Sequence, residues 1–275
     1  MRVIRPMTLP ELEQVLTWAA AEGWNPGLDD AAAFHASDPA GFLLAELAGA
    51  PVAAISVVNH SDSMAFLGLY LCRPEWRGQG HGWALWQAGL AHAGGRCIGL
   101  DGVAAQEANY AKSGFLRQGA TVRWEGGLSS DFNRPAPDLR PCTEDDLPAL
   151  TALDAAAQGY ARPAFLRAWL AAAPLRHTWV RADGRGFVTA RACGRGVKIG
   201  PVIAPDAPSA HAMIAAAAAT FPGPVIVDIP EQNTELAALL ARDGMVETFR
   251  TARMYKGAAP EPGPMAQAVA TMELG

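Results

Sequence analysis

The chain has 275 residues, half of them hydrophobic and 18% charged, with a formal net charge of −5. That length holds one large or two medium domains with enough chain to bury a core, and the composition excludes a disordered protein. Its basic residues are scattered arginines with few lysines, so the basic stripe that a nucleic-acid partner requires is missing.

The N-terminus Met1-Arg2-Val3-Ile4-Arg5 runs directly into a strand over residues 3–5, so no signal peptide is expected. Leu9–Ala21 reads as a helix with Leu12, Val15, Leu16 and Ala19 on one face. Residues 29–34 open a second short helix, and residues 42–47 and 52–58 form a hairpin. Residues 64–72 are a longer, almost continuously apolar strand, as expected at the centre of a sheet. A helix over 82–93, a buried strand over 97–100, a helix over 106–113 that ends at Gly114, and a strand over 121–124 complete the half. The expected fold class is α/β, with a mixed sheet and one strand–turn–helix at its centre.

The start of this half returns later in the chain. Ile4-Arg5-Pro6-Met7-Thr8 through Leu12 is echoed by Leu139-Arg140-Pro141-Cys142-Thr143 through Leu147, each with an N-cap threonine and an acidic first turn. A second echo links Asn109 and Gly114-Phe115 with Asn233 and Gly244-Met245. Repeats at this separation predict two duplicated domains, not a solenoid. Ser129, Ser130, Asn133, Pro135 and Pro137 mark a linker over 129–138. The expected domains are therefore 1–128 and 138–257, and 258–275, with Pro260, Pro262 and Pro264, reads as a mobile tail.

Cys72, Cys97, Cys142 and Cys193 make no C-x-x-C pair and have no histidines at zinc-ligand spacing. No metal site is expected, and Cys72 and Cys97 read as small buried hydrophobes. The alanine run at 215–219 is too short to span a bilayer. No membrane partner is expected, and a reducing cytoplasm is the expected location.

The chemistry concentrates in 69–85. There the central strand stops at Pro74 and a glycine-rich turn leads into an amphipathic helix. Such a turn aims several backbone N–H groups at one spot, at the positive end of a helix dipole, and so seats a phosphate or pyrophosphate. No lysine follows the glycines, which excludes a Walker loop. Gly78-Gln79-Gly80 begins a dinucleotide fingerprint, but its third position is Trp83, and the loop follows a hairpin instead of the first strand of a βαβ unit.

Arg77-Gly78-Gln79-Gly80-His81-Gly82, led by Pro74-Glu75-Trp76, resembles the pyrophosphate-loop signature of the GNAT superfamily of N-acetyltransferases. Asn109-Tyr110-Ala111-Lys112-Ser113-Gly114-Phe115 resembles the same family's second motif. Trp24-Asn25-Pro26-Gly27, Gly99-Leu100-Asp101-Gly102-Val103 and Lys198-Ile199-Gly200-Pro201 are similar to bacterial tandem members, in which a regular GNAT domain precedes a divergent one. The resemblance implies two tandem acyl-CoA N-acyltransferase folds, acetyl-CoA as donor and a small-molecule amine as acceptor.

On that resemblance the amides of Gly78, Gln79, Gly80, His81 and Gly82 take the pyrophosphate, with Arg77 orienting the loop or meeting phosphate. Leu71, Cys72 and Arg73 lie along the pantetheine like an added strand, and the Cys72 N–H polarises the thioester carbonyl. Asn109 and Lys112 contact the pantetheine and a phosphate. Tyr110 holds the general-acid position, opposite a leaving thiolate whose pKa should be about 8.5 against about 10 for tyrosine. Trp24 and Asn25 fall where the family builds its acceptor pocket. The central strand carries no acid, so the base is open among Glu22, Asp29, His60, His81 and a water chain.

The second half has lost these features. Its strand at 197–204 leads into Asp206-Ala207-Pro208-Ser209-Ala210-His211, without the arginine and glycines, and Leu240 falls at the position of Tyr110. It is expected to bind no CoA and to supply half of the acceptor pocket or a built-in dimer partner, leaving a pseudo-dimeric monomer or a homodimer. A non-catalytic acyl-CoA sensor and a protein N-acetyltransferase are the alternative functions.

Overall fold

The computed structural model describes residues 1–128 and 138–275, so the expected linker, except Asp138, lies outside the described residues. The first half runs β1 (Arg2–Pro6), α1 (Leu9–Ala21), α2 (Asp30–Ser37), β2 (Phe42–Leu47), β3 (Ala50–Asn59), β4 (Met64–Cys72), α3 (His81–Ala93), β5 (Cys97–Val103), α4 (Glu107–Lys112) and β6 (Leu116–Gly126). The second repeats that order: β7 (Leu139–Pro141), α5 (Leu147–Gln158), α6 (Pro163–Leu170), β8 (Arg176–Arg181), β9 (Phe187–Ala192), β10 (Val197–Ile203), α7 (Ala207–Ala218), β11 (Val225–Pro230), α8 (Thr234–Arg242) and β12 (Val246–Lys256). A short β13 (Ala266–Ala268) follows.

The duplication extends to single contacts. Thr8 and Glu11 form a capping box, and so do Thr143 and Asp146. Arg5 grips Glu11 at 2.5 Å, and Arg140 grips Asp146 at 2.6 Å. The Arg5 guanidinium holds the Glu11 carboxyl down at about 2, and Arg140 lowers Asp146 in the same way. The sequence echo is therefore an echo of structure.

All described strands join one sheet in the order β1-β2-β3-β4-β5-β12-β6-β11-β10-β9-β8-β7, with β13 paired to β10. The centre of this order is an exchange. β12 belongs to the second half yet lies between β5 and β6, while β6 belongs to the first half yet lies between β12 and β11. Each half lends its last strand to the other. This explains why β6 and β12 run to 11 residues each, longer than residues 121–124 alone suggested. Pairing with β12 carries the strand through Gly119, where propensity alone would end it, and β11 joins from Thr121 on.

The halves also share a core. α1, α2 and β2 pack with α5 and α6 around Phe34, Phe42, Phe165 and Trp169. Phe34 stacks on Trp169 with ring centroids 6.0 Å apart. Asp29 pairs with Arg176 at 3.0 Å, and Asp30 pairs with Arg191, both across the boundary. Asp30, Arg176 and Arg191 are buried and Asp29 is partly exposed; a buried pair is strongly destabilised if one partner is removed.

Two forks in the sheet position the chemistry. β4 pairs with β5 in parallel only over Met64–Leu67 and Cys97–Leu100. β10 pairs with β11 in parallel only over Val197–Ile199 and Val225–Val227. A bulge marks each fork: Leu69 and Tyr70 stand opposite Ile55 alone, and Gly200 and Pro201 stand opposite Thr189 alone. Leu69 sits at φ +44° inside a strand, a conformation that costs a branched side chain free energy.

The expected mobile tail is not what the structure shows. β13 enters the second fork and pairs with β10 at Val202 and Ile203, and the Val269 N–H donates to the Asp228 carbonyl. Residues 267–275 are buried throughout. A side chain at Gly200 would meet the Val269 carbonyl at 2.1 Å, and one at Gly68 would meet the Glu273 carbonyl at 2.1 Å, so both glycines let the tail backbone approach. The prolines at 260, 262 and 264 suggested a loose end because the docking surface lies far away in sequence. Among the described residues no helix is long and apolar enough to cross a membrane, and no His/Cys/Asp/Glu group could hold a metal ion.

Candidate active site

The first fork opens into a cleft of about 820 Å³ between β4, β5 and the start of α3, closed on the far side by β6, β12 and the tail. The helix α3 begins where the sequence placed the turn. Gly78 and Gly80 sit at φ +75° and +78°, and a side chain at either would point into open space. The glycines are required by conformation, since this left-handed backbone is strained for other residues. Gly80 is the N-cap of α3, and no side chain caps that end. The free N–H groups of the first turn and the positive end of the dipole therefore face the cleft.

The loop is tied down around this end. Arg77 donates to the Cys72 carbonyl at 3.0 Å and pairs with Glu22 at 2.5 Å. Gln79 donates to the Glu75 carbonyl, and Arg2 donates to the Gly80 carbonyl. Arg77 thus anchors the loop to the strand end and to α1. Gly82 lies so close to the Tyr70 hydroxyl that a side chain there would meet it at 2.8 Å. His81 is buried against Trp76, and its Nδ1 has no hydrogen-bond partner.

Tyr110 lines the cleft from α4, buried and stacked on Trp86 at 5.5 Å with an interplanar angle of 16°. Gly102 makes room for its ring: a side chain there would meet the Tyr110 ring at 2.4 Å. Burial pushes the Tyr110 hydroxyl up to about 12, so it stays protonated at neutral pH. Tyr70 is raised by the same cause.

Of the residues singled out in the sequence, Leu71, Cys72, Arg77, Gly78, Gly80, His81, Gly82, Tyr110 and Trp24 all line this cleft. Arg73, Gln79, Asn109, Lys112 and Asn25 do not. Arg73 pairs with Glu75 at 2.6 Å. Asn109 donates to the Gln106 side chain at 2.8 Å, and Lys112 is exposed. The Asn25 side chain holds the backbone of Arg195 through two hydrogen bonds, at 2.9 and 3.1 Å, and so clamps the two halves together. Cys72 is in register with Ala53, and the β4 bulge lies just before it in the chain, at Leu69 and Tyr70.

Among the base candidates, Glu22 and His81 reach the cleft. Asp29 is engaged by Arg176, and His60 is buried against the Leu274 carbonyl at 2.7 Å.

Several further cleft residues come from the exchanged strand, the tail or the turn between β9 and β10, where no local motif marks them. Arg195, Thr248, Phe249, Thr251, Met272 and Glu273 all line the cleft from the second half. Gln106, the N-cap of α4, lines it too. Strand exchange was the missing signal, and no local pattern announces it.

Comparison with known proteins settles the family. The acetyltransferase (GNAT) family profile matches residues 9–119, and an acetyltransferase (GNAT) domain profile matches residues 150–269. A holothin acyltransferase from Pseudoalteromonas sp. (strain SANK 73390) is 34% identical over 98% of this chain and 94% of its own length. The chain belongs to the GNAT family of acyltransferases. Both GNAT units fold accordingly. A Pyrococcus horikoshii protein assigned as an acetyltransferase superposes at a TM-score of 0.83 with 21% identity, over 100% of this chain and 96% of the other. A tandem GNAT protein from the clavulanic acid biosynthesis pathway superposes at 0.61 with 16% identity, over 95% and 100%. The tandem architecture is thus shared, and GNAT acyltransferases use acyl-CoA donors.

The second GNAT unit keeps the frame with different residues at the positions that line the first unit's cleft. Phe115 donates its N–H to the Tyr110 carbonyl, and Met245 donates to the Leu240 carbonyl in the same way, so Leu240 does occupy the tyrosine position. The α7 N-terminus is capped by Asp206, whose carboxylate accepts from the Ser209 N–H at 2.7 Å.

Proposed function

We propose that this acyltransferase moves the acetyl group of acetyl-CoA to the primary amine of a small molecule by direct attack, with Tyr110 as general acid. The observation that carries the reading is the open first fork, with an uncapped helix N-terminus at one end and a buried, protonated tyrosine in its wall. The pyrophosphate would rest on the amides of Gly78 to Gly82. The pantetheine would lie along Leu71 to Arg73, in the place that β13 takes beside β10. A β4 N–H beside the bulge at Leu69 and Tyr70, with that of Cys72 as the first candidate, would receive the thioester carbonyl as charge develops on its oxygen.

The amine lone pair attacks the carbonyl carbon, the C–S bond breaks, the departing thiolate takes the Tyr110 proton, and a proton from the nitrogen of the new amide restores the tyrosine. The burial that raises Tyr110 also raises the proton affinity of a thiolate beside it, which keeps the transfer feasible. The curated relative is named for holothin, which makes a small molecule of that kind the first acceptor to try.

The reading is tested by two measurements on the intact chain. Acetyl-CoA should raise the melting temperature, and an amine panel should release CoA thiol together with acetylated product. No thermal shift would overturn the donor assignment. Thiol release without acetylated amine would overturn the acceptor assignment.

A further inference from the structure

Four carboxylates line the cleft: Glu22, Asp101, Glu125 and Glu273. Three are held by arginines at contact distance, Glu22 by Arg77 at 2.5 Å, Asp101 by Arg253 at 2.6 Å and Glu125 by Arg195 at 2.5 Å. Glu273 differs. Its carboxylate is met by the Thr271 hydroxyl, and among the described residues no basic group reaches salt-bridge distance of it. Arg123, Lys198 and Arg191 face it from β6, β10 and β9 at longer range, and Asp228 on β11 stands among them. Arg123 is already closed on Asp228 through two hydrogen bonds, at 2.7 and 2.8 Å. Glu273 is therefore a buried carboxyl group with cations at a distance and none covering its oxygens.

Its place in the fold matters as much as its charge. The tail sets the Glu273 backbone against Gly68, the residue before the bulge at Leu69 and Tyr70. Met272, Phe249 and Trp24 line the same cleft and supply an apolar surround.

We propose that Glu273 receives the ammonium of an acceptor built on an apolar or aromatic body, and that it is the general base of the transfer. The inference rests on the amine-acetylation reading above. The ammonium gives one proton to the Glu273 carboxylate, and the free amine attacks the thioester. The C–S bond breaks, Tyr110 protonates the thiolate, and the second nitrogen proton returns to the Tyr110 oxygen. Glu273 then releases its proton to solvent, and the products are amide, CoA thiol and one proton.

The test uses primary arylalkyl amines, tryptamine and phenethylamine, with amino acids as polar controls. The parent protein should prefer the arylalkyl amines, with kcat level between about pH 6.5 and 9 because the bound ammonium is deprotonated in place. Glu273→Gln should lower kcat at neutral pH by at least about 100-fold and should make it climb about tenfold per pH unit, since only free amine then reacts. The acetyl-CoA thermal shift should be unchanged in that variant. Glu273→Asp serves if the glutamine variant does not fold, and it should keep a level profile at reduced rate. A Glu273→Gln variant with the parent's rate and level profile would overturn the base while leaving the transfer intact. So would a Glu273→Asp variant with the steep profile. No acetylation of any panel amine, with the thermal shift present, would overturn the amine reading itself and the role of Glu273 with it.

Discussion

The two forks of this molecule are built alike, but one is open and the other is filled by β13. Each opens where a parallel pair of strands stops, each carries a bulge of two residues against one, and each is overlooked by a helix N-terminus and a helix end with the same backbone turn. In the first, Gly80 leaves the α3 N-terminus uncapped. In the second, the Asp206 carboxylate already satisfies it, and β13 fills the space beside the bulged strand. A helix N-terminus binds an anion only when no side chain of the chain has claimed it. On the proposed reading one duplicated frame gives one ligand site and one structural joint, and the joint continues into the tail that walls the first cleft.

The comparison breaks most sharply if the first fork is given the second fork's cap. Gly80→Asp places a carboxylate at the α3 N-cap, at a φ of +78° that also strains it. Acetyl-CoA at about 100 times its Kd stabilises the parent by about 2.7 kcal/mol, a rise of roughly 5 to 10 °C in melting temperature. The variant should show no rise, and transfer activity should vanish with it. Calorimetric titration of the parent should give one acetyl-CoA per chain, and two would refute the contrast between forks.

Tyr110→Leu copies the second fork at its other wall. Loss of a general acid costs about 100-fold or more in turnover, whereas the contact area for the donor hardly changes. Tyr110→Phe should reproduce the loss in kcat with the same acetyl-CoA affinity, measured by thermal shift. Equal activity in the Phe variant would remove the tyrosine from the chemistry.

The glycines under the tail sharpen the division of labour. Gly68→Ala and Gly200→Ala each drive a side chain into a tail carbonyl, and each should cost about 1–3 kcal/mol in denaturant unfolding. Only Gly68→Ala displaces Glu273 directly, so it should lose activity well beyond Gly200→Ala at matched folded fraction.

Acid should loosen the same tail. Burial holds His60 neutral and pushes its pKa down to about 3 from an ordinary 6.5, beside Arg162 and against the Leu274 carbonyl. The unfolded chain takes a proton at its ordinary pKa and the folded chain does not, so stability is full above pH 6.5 and drains as pH falls toward 3. The melting temperature should fall across that window, and His60→Asn should flatten the fall.

Much of this frame could be read from the chain. The turn at Gly78 and Gly80, the apolar strand before it, Tyr110 before Gly114 and the threonine starts at Thr8 and Thr143 are local patterns, fixed by backbone sterics and capping, and the structure places each where the pattern did. The exchange of β6 and β12 was not readable. Neither strand carries a local pattern that names its partner, and the pairing is set by the assembled sheet. The tail was misread for the same reason: its burial depends on Gly200 and Gly68, which carry no mark of what they adjoin. Glu273, Phe249 and Arg195 stayed hidden because the site draws on both halves. The second echo was also out of step. Helix starts align Asn233 with Gln106, the two N-caps, and not with Asn109.

That realignment gives the smallest effect and the finest test of the symmetry. The Asn233 side chain donates to the carbonyls of Ala266 and Gln267, at 2.8 and 3.0 Å, and so holds the strand that fills its fork. Gln106 stands at the same step of the first fork and lines the open cleft, with its amide held by Asn109. A pantetheine arm lying where β13 lies in the other fork would offer its own amide carbonyls there. Gln106→Ala removes about one neutral hydrogen bond, worth about 0.5–1.5 kcal/mol, so the KM for acetyl-CoA should rise roughly 2- to 12-fold with kcat nearly unchanged. Asn109→Ala, which only steadies Gln106, should do less. A larger effect at Asn109 than at Gln106 would mean that the pantetheine follows the sequence motif and not the path that the tail traces through the second fork.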